Sequence, residues 1–169
     1  ALAAESTNKG YTVPGVQKKL SLHLFSEGNT PRLTLVNYPT GYILKPQVPE
    51  FEALPQAEYL VMCMADAAGI STVPHALIMG KDSPAYITKR VDRIFTKNKM
   101  QMLAMEDFCQ LDLRLTQDKY KGSYERCAKI IERYSSCKGL DITELYLRLV
   151  FSFLVGNSDM HLKNFSLIE

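Results

Sequence analysis

The chain has 169 residues, 46% of them hydrophobic, and a formal net charge of +2. This length and composition predict one compact domain or slightly more, with enough apolar surface for a buried core, and the near-neutral charge gives no electrostatic reason to expect direct nucleic-acid binding. Because no apolar run reaches the roughly 18 residues that span a bilayer and no signal-peptide pattern is present, we expect a cytoplasmic protein without membrane contact.

The first half of the chain shows mostly the alternating apolar pattern of β-strands. Before it, residues 1–10 are small and polar and predict a flexible N-terminal segment. The predicted elements are five strands and one helix, in chain order Lys18–Phe25 and Arg32–Asn37 as a hairpin, strand Gly41–Pro46, helix Leu54–Ala68 stopped by Gly69, and strands Pro74–Met79 and Ala85–Val91.

The second half shows apolar residues at helical spacing, which predicts helices over Met105–Leu113, Ser123–Ser135 and Ile142–Val155. For the last helix, Asp141 is the predicted N-cap and Glu144 the second member of a capping box. We expect this helix to be buried because of its apolar residues, which are Leu145, Leu149, Phe151, Phe153 and Leu154.

These patterns predict an α+β fold in two parts. Residues 11–96 form a small mixed lobe of strands and one helix. Residues 97–169 form the start of a helical lobe, which ends in a loop over residues 157–164.

The four cysteines give no sign of a disulfide framework or a zinc site. Cys63, Cys109, Cys127 and Cys137 form no C-x-x-C pair. We therefore expect reduced, buried thiols, as in a cytoplasmic protein.

The segment near the C-terminus carries the strongest functional pattern. Asp159 and Asn164 stand in the D-x-x-x-x-N spacing of a protein-kinase catalytic loop, in which the aspartate takes a hydroxyl proton and the asparagine holds a metal on the phosphates. Lys163 lies between them and can meet charge on a migrating phosphoryl group. As an alternative, Asp159 and His161 could be metal ligands of a hydrolase, but a single pair without a second cluster makes a poor metal site.

Upstream residues are compatible with phosphate binding. The segment 12–19 contains Gly15 directly before a strand, where the backbone can approach an anion, although an ordinary turn explains it equally well. Lys45 ends an apolar strand and can pair with nucleotide phosphates, as the strand lysine of kinases does, or it can be a surface lysine. Glu58, early in the next helix, can pair with that lysine or simply favour the helix N-terminus.

The segment 89–93 follows the last strand of the first half. It can connect the two lobes, with backbone groups facing an adenine ring, or form a solvated charged loop. Its position between the strand-rich and helix-rich halves favours the connector.

Taken together, these motifs resemble the HipA-type serine/threonine kinases, the toxins of bacterial HipBA-type toxin–antitoxin systems. The resemblance runs from about Thr12 to Ile168. It rests on six motifs, which are Gly15-Val16-Gln17-x-Lys19, Ile43-Leu44-Lys45-Pro46, Glu58, Arg90-x-Asp92-Arg93, Glu106-Asp107-Phe108-Cys109-Gln110 and Asn157-x-Asp159-x-His161-x-Lys163-Asn164-Phe165-Ser166.

The resemblance implies a protein-kinase-like, HipA-type fold that uses ATP and Mg²⁺ to phosphorylate a protein hydroxyl, often on an aminoacyl-tRNA synthetase. It also implies a HipB-like DNA-binding antitoxin as partner. The implied site residues fall into four groups, namely Asp159 and Lys163 in catalysis, Asn164 and Asp159 at the metal, Gly15, Gln17, Lys19, Lys45, Glu58, Lys89, Val91 and His161 at the nucleotide, and Thr12 at a loop position that can be autophosphorylated. Lys89 and Val91 depart from the family, which often has Glu and Phe there.

Such kinases continue for well over a hundred residues after the Asn-Phe-Ser strand, which is where the second metal aspartate lies. We therefore expect a kinase that is truncated or needs a second piece. The alternative is a catalytically inactive binding module that docks onto an antitoxin or a companion chain. A small-molecule kinase of the aminoglycoside-phosphotransferase kind is a third possibility, which the Gly-Val-Gln-x-Lys and Glu-Asp-Phe-Cys-Gln motifs disfavour.

Overall fold

The computed structural model of the protein describes residues 19–27, 30–34, 40–96 and 100–169. The chain divides into two compact units, residues 1–100 and residues 101–169. Three predicted site residues, Thr12, Gly15 and Gln17, lie outside the described residues, as does the segment 1–10. Within the described part, no helix is both long and apolar enough to cross a membrane.

The first unit is built on an antiparallel sheet of five strands with the order β2-β1-β3-β5-β4. The strands are β1 (Leu20–Glu27), β2 (Thr30–Thr34), β3 (Tyr42–Pro46), β4 (His75–Met79) and β5 (Pro84–Lys89). Each pair of neighbours is antiparallel. All five predicted strands are confirmed within the described residues, while Lys18 and residues 35–37 of the predicted hairpin lie outside them.

One helix, α1 (Leu54–Ala67), packs against β4 and β5. Pro55 lies in its first turn, where the missing amide hydrogen is harmless, and Gly69 follows its end with φ +79°, the left-handed conformation that glycine adopts without strain. These two residues explain why the predicted bounds of this helix are nearly correct. Among the described residues of this unit, the buried apolar side chains are Leu20, Leu22, Val48, Pro55, Ala65, Ala85, Tyr86 and Ile87.

Two short strands that the sequence did not predict, β6 (Arg93–Phe95) and β7 (Met100–Met102), form a separate two-stranded sheet. The Phe95 ring lies against Gly41, where a Cβ atom would approach the ring to 2.5 Å. A side chain at position 41 would therefore require the Phe95 ring to move.

The second unit contains a small sheet and three helices. Its strands, β8 (Met105–Asp107) and β9 (Ser166–Ile168), are antiparallel, and its helices are α2 (Phe108–Leu111), α3 (Tyr124–Tyr134) and α4 (Lys138–Leu154). Short 3-10 helices cover Thr116–Asp118 and Leu162–Asn164. The core consists of Phe108, Cys109, Cys127, Ile130, Ile131, Leu145 and Leu162.

The predicted helix Met105–Leu113 is wrong over most of its length, because only Phe108–Leu111 is helical. Asp107 ends the strand and caps the helix: its carboxylate accepts from the Gln110 amide at 3.0 Å, and the Gln110 side chain accepts from the Asp107 amide at 2.8 Å. This capping box fixes the helix start. Leu113 has φ +53°, which is incompatible with helix continuation.

The predictions for the last helix need two corrections. It begins at Lys138, and Asp141 lies in its first turn, where the carboxylate accepts a hydrogen bond from Ser135 Oγ at 2.5 Å instead of capping the helix. The helix is also not buried all round, since Leu145 is its one buried residue while Phe153 and Leu154 are 84% and 74% exposed. Apolar content alone does not specify which face of a helix meets a neighbour.

All four cysteines are free, as predicted. Cys109 and Cys127 are buried, and burial raises the pKa of the Cys127 thiol to about 11. Cys137 is exposed, so the expectation that all four are buried is wrong. Cys137 is the residue that precedes α4, and helix ends lie at the surface.

Candidate functional site

The kinase-like motif lies in the loop that connects α4 to β9. The helix ends at Leu154, and Gly156 turns the chain with φ +72°. The Asn157 amide still donates to the Ser152 carbonyl at 2.8 Å, so the loop starts from a fixed helix end. Asp159 is therefore presented directly after a rigid element, which favours a precise orientation.

The structure brings Asp159 and Asn164 together. The Asn164 side-chain amide donates a hydrogen bond to the main-chain carbonyl of Asp159, and the Asp159 amide donates to Asn157 Oδ1 at 3.1 Å. These bonds fix the main chain of Asp159 on both sides. Because the Asn164 side-chain nitrogen donates this hydrogen bond, the Oδ1 oxygen of the same side chain is the atom that can coordinate a cation.

The Asp159 carboxylate faces two aromatic side chains. Tyr120 donates its hydroxyl to Asp159 Oδ1 at 2.9 Å, and His161 Nε2 lies 3.8 Å from the same oxygen. The Asp159 side chain is 68% exposed, whereas that of His161 is 7% exposed. The Asp159 carboxylate is thus accessible to another molecule, whereas the neighbouring His161 side chain is buried.

His161 is packed into the second unit. The Tyr120 ring meets its imidazole edge-on, with 5.0 Å between ring centroids. His161 also lines a cavity of about 20 Å³, together with Ser123 and Cys127 among others. Its Nδ1 is buried and has no hydrogen-bond partner among the described residues. A cavity of this volume can hold about one water molecule, and it is far too small for a nucleotide.

Lys163, the predicted charge-stabilising residue, is held in an ion pair. Its Nζ lies 2.5 Å from Asp107 Oδ2, with the side chains 33% and 15% exposed. Asp107 therefore serves both as the cap of α2 and as the partner of Lys163. A direct role for Lys163 on a phosphoryl group requires this pair to open, and that role stays a prediction.

In the first unit, the predicted lysine–glutamate pair is present. Lys45 on β3 and Glu58 on α1 form an ion pair with 2.6 Å between Nζ and Oε2. Their side chains are 26% and 22% exposed, and the Lys45 ammonium lies 5.6 Å from the centre of the Tyr86 ring. The strand and the helix thus place this charge pair on a partly shielded surface, where its field is screened less than in open water.

Lys19, the residue before β1, belongs to the same cluster. Burial lowers its pKa, the nearby Lys45 ammonium lowers it further, and Glu58 opposes both effects. Two lysines against one glutamate leave one excess positive charge. An anion that binds there relieves the repulsion between Lys19 and Lys45.

The segment 89–93, the predicted connector, is organised around the buried Asp92. Lys89 is the last residue of β5, opposite Tyr42, and Val91 is 50% exposed. Asp92 is 6% exposed and accepts two hydrogen bonds from Arg90, at 2.8 and 2.6 Å, as well as bonds from Arg93. The segment is therefore not a fully solvated loop. Contacts of Lys89 and Val91 with adenine stay a prediction.

Among the described residues, no group of three or more His, Cys, Asp and Glu side chains could hold a metal ion. The hydrolase interpretation of Asp159 and His161 therefore gains no further ligand in this part of the chain. The sequence did not predict the side-chain contacts that Tyr120 and Asp107 make with the loop. Tyr120 and Asp107 are 39 and 56 residues away from their partners, so no local spacing could reveal them.

An antiparallel sheet that carries a lysine–glutamate pair, and a helical unit whose loop joins an aspartate to an asparagine, are features of a kinase-like fold. The profile of the HipA-like C-terminal domain family matches residues 11–169. The chain therefore belongs to the HipA-like C-terminal domain family, as its motifs predicted.

Relatives of known sequence are longer than this chain. It is 28% identical over 162 residues to the putative kinase Y4mE of Sinorhizobium fredii, a match that covers 93% of the chain and 38% of the relative. It is 27% identical over 174 residues to a putative kinase of Haemophilus influenzae, covering 95% of the chain and 48% of the relative. The chain thus spans less than half the length of these relatives.

A solved structure has the same fold. The chain superposes on HipA in the complex of HipA, HipB and operator DNA from Shewanella oneidensis MR-1 with a TM-score of 0.75 and 22% identity. The match covers 94% of this chain and 40% of that HipA chain. The predicted α+β, HipA-type fold is confirmed.

Proposed function

We propose that this chain carries the nucleotide-binding and catalytic-loop parts of a HipA-like serine/threonine kinase, which transfers the γ-phosphoryl group of ATP to a protein hydroxyl. The observation that carries the proposal is the hydrogen bond from the Asn164 side chain to the Asp159 carbonyl. It locks the kinase-type aspartate and asparagine together and leaves both a carboxylate and an amide oxygen for chemistry.

Asp159 orients the acceptor hydroxyl and accepts its proton as the phosphoryl group is transferred. Its exposure of 68% makes the carboxylate accessible to a side chain of a substrate protein. The donor set fits magnesium, because the Asn164 amide oxygen and the Asp159 carboxylate are hard oxygen ligands. Asn164 and Asp159 would hold Mg²⁺, which when bound neutralises charge on the phosphates.

Lys45 and Lys19 bind phosphate oxygens in this proposal. Glu58 holds the Lys45 ammonium at 2.6 Å, so that the lysine is positioned before a nucleotide arrives. Little covalent chemistry falls to the protein in phosphoryl transfer, and positioning together with charge stabilisation lowers the barrier. The buried His161 side chain anchors the loop in the second unit. Lys163 can place a positive charge near the phosphoryl group once its ion pair with Asp107 opens.

A second candidate is a catalytically inactive module that binds a HipB-like antitoxin or a companion chain. The structural neighbour, a HipA in a complex with HipB and operator DNA, is the observation that favours it. A HipB-like partner is compatible with both candidates, whereas phosphoryl transfer belongs to the first alone.

The test is transfer of radiolabelled γ-phosphate from ATP to protein, including the chain itself, by wild type and Asp159→Asn. We expect wild-type incorporation to fall at least a hundredfold in the variant, since general-base catalysis contributes about 10²–10⁴ in rate. Circular dichroism should show equal folding because Asp159 lies at the surface. Equal incorporation by both proteins would reject the assignment, and no incorporation by wild type would favour the binding module.

A further inference from the structure

The segment from Lys119 to Gly122 is docked onto the candidate catalytic loop at three points. The Leu162 amide donates to the Lys119 carbonyl at 3.1 Å, Gly122 lies against the Leu162 side chain, and the Tyr120 hydroxyl donates to Asp159 Oδ1 at 2.9 Å. A main-chain bond, a packing contact and a side-chain bond therefore converge on one loop. The described contacts of Tyr120 are directed at this loop and at its neighbour Lys119.

The closeness of this docking depends on Gly122. A Cβ atom at that position would lie 2.8 Å from the Leu162 side chain, a distance that real side chains do not adopt without a shift of the neighbour. Leu162 is 2% exposed and belongs to the core of the second unit. The segment is thus seated on a part of the loop that is itself anchored.

Tyr120 is 63% exposed. If its ring were unrestrained, its hydroxyl would bond to water as readily as to Asp159. Two contacts restrict its ring. The ring packs edge-on against the buried His161, and the Lys119 ammonium lies 4.8 Å from the ring centroid. The hydroxyl is therefore held towards the Asp159 carboxylate at a low cost in side-chain entropy.

The bonds to Asp159 divide into two sets. Asn157 and Asn164 bind its main chain, and neither restrains rotation of the carboxylate. Among the described residues, Tyr120 is the donor that binds the carboxylate itself. An ionised carboxylate has two oxygens, each with acceptor capacity, so a bond to Oδ1 leaves Oδ2 for an acceptor hydroxyl.

We propose that Tyr120 is a positioning residue for Asp159, which fixes the carboxylate through Oδ1 in the orientation that meets the acceptor hydroxyl. This inference rests on the proposed kinase function, since it assigns to Tyr120 a part in the same step. The tyrosine itself neither accepts nor donates a proton in the reaction. Its ring and its hydroxyl have separable parts, as the ring covers His161 and the hydroxyl orients Asp159.

The kinetic test compares three variants with the wild-type chain. Tyr120→Phe keeps the ring and removes the hydroxyl, and we expect kcat to fall about tenfold, which corresponds to about 1.4 kcal/mol, with the KM for MgATP unchanged within about twofold. Tyr120→Leu removes the ring as well and should lower kcat further. Tyr146→Phe removes the hydroxyl of a similarly exposed tyrosine on α4 (65%, against 63% for Tyr120) and serves as the matched control.

A second readout does not need catalysis. Carbon-13 relaxation of the Asp159 side-chain methylene should show a lower order parameter in Tyr120→Phe than in wild type. The Asp159 backbone amide should keep its order in the variant, because Asn157 and Asn164 still hold the main chain. This split between a looser side chain and an unchanged backbone distinguishes positioning from general destabilisation.

The outcomes separate the two proposals. A methylene order parameter that is unchanged in Tyr120→Phe overturns the positioning role, whether or not the chain transfers phosphate. A looser side chain with unchanged kcat also overturns it, because orientation then has no consequence for transfer. If wild type and Asp159→Asn transfer phosphate equally, or neither does, the kinase proposal fails, and the relaxation measurement alone decides whether Tyr120 orients the carboxylate.

Discussion

Two aspartates with nearly buried side chains, one in each unit, are each bound by two arginines. Arg90 and Arg93 bind Asp92 in the first unit, and Arg114 and Arg126 bind Asp112 in the second. The hydrogen bond from Arg126 lowers the pKa of Asp112 below its ordinary value of 3.8, burial opposes this effect, and Arg114 adds to the lowering. Because the pKa is depressed in the folded state, the stabilisation is present above pH 3.8 and is lost as the pH falls through the folded value.

Asp112→Asn should therefore destabilise the protein at pH 7, by about 2 kcal/mol, since a hydrogen-bonded charge is lost while Arg114 and Arg126 can regain water. The difference from wild type should shrink as the pH is lowered below 3.8. Urea unfolding at a series of pH values measures both effects.

The control is Asp118→Asn, which breaks an ion pair with the 73% exposed Lys121. It should cost less than about 0.5 kcal/mol. A pH-independent penalty in Asp112→Asn would contradict the ionic origin of this stabilisation.

Gly122 gives a second prediction at the residue scale. Gly122→Ala should lower the free energy of unfolding by about 1–3 kcal/mol, because the new methyl group overlaps the buried Leu162 side chain. Gly139 is the matched control: it lies in the first turn of α4, where an added Cβ atom would meet nothing within 4 Å, so Gly139→Ala should stabilise by up to about 1 kcal/mol. Thermal unfolding compares the two, and equal effects of both substitutions would contradict the packing argument.

The residues of the site that could be predicted from sequence are those joined by short spacing. Asp159 and Asn164 are five positions apart, and Lys45 and Glu58 lie on consecutive elements. The contact of Tyr120 with Asp159 and that of Asp107 with Lys163 join distant segments and depend on the fold. Sequence patterns carry no signal for such contacts.

The helices and strands whose bounds were predicted correctly are those with start and stop signals in their own sequence. Helix α1 has a proline at its start and a glycine at its end, and its predicted bounds are nearly correct. Residues 105–107 have no such signal. They form a strand because β9 pairs with them from the far end of the chain, and no local pattern encodes that partner.

The C-terminal end of helix α4 exposes apolar side chains, which we expect to contribute little to stability. Phe153 and Leu154 are 84% and 74% exposed, so the double substitution to serine should leave the free energy of unfolding within about 0.5 kcal/mol of wild type. It should also reduce self-association of the purified chain, since exposed apolar patches promote it. Sedimentation velocity and urea unfolding test these two expectations.

The contrasting variant is Leu145→Ala on the buried face of the same helix, which should cost about 2–5 kcal/mol. A large loss of stability in the serine variant would show that the apolar end of α4 is packed in solution.

At the scale of the whole molecule, the chain consists of two compact units. The sequence has strand patterns in its first half and helix patterns in its second half, and this order was sufficient to predict an α+β fold. The sequence could not predict which apolar surface each unit covers, because that depends on packing partners. Of the residues that we propose to act in phosphoryl transfer, Lys19, Lys45 and Glu58 belong to the first unit, and Asp159, His161 and Asn164 belong to the second. The function we propose requires both groups to act on one nucleotide.

Calorimetric titration with ATP, in the presence of Mg²⁺ and then of a chelator, tests this requirement most directly. Wild type should bind MgATP with a dissociation constant in the range of about 1 μM to 1 mM. Lys45→Ala and Asn164→Ala should each weaken binding about tenfold or more, as expected when a charge-assisted contact is lost. Lys81→Ala, which removes an exposed lysine in the first unit, should bind as wild type does. Removal of Mg²⁺ should weaken ATP binding by wild type more than binding by Asn164→Ala, which keeps only Asp159 as a metal ligand. Absence of binding by wild type, or equal affinity of all four proteins, would contradict the account.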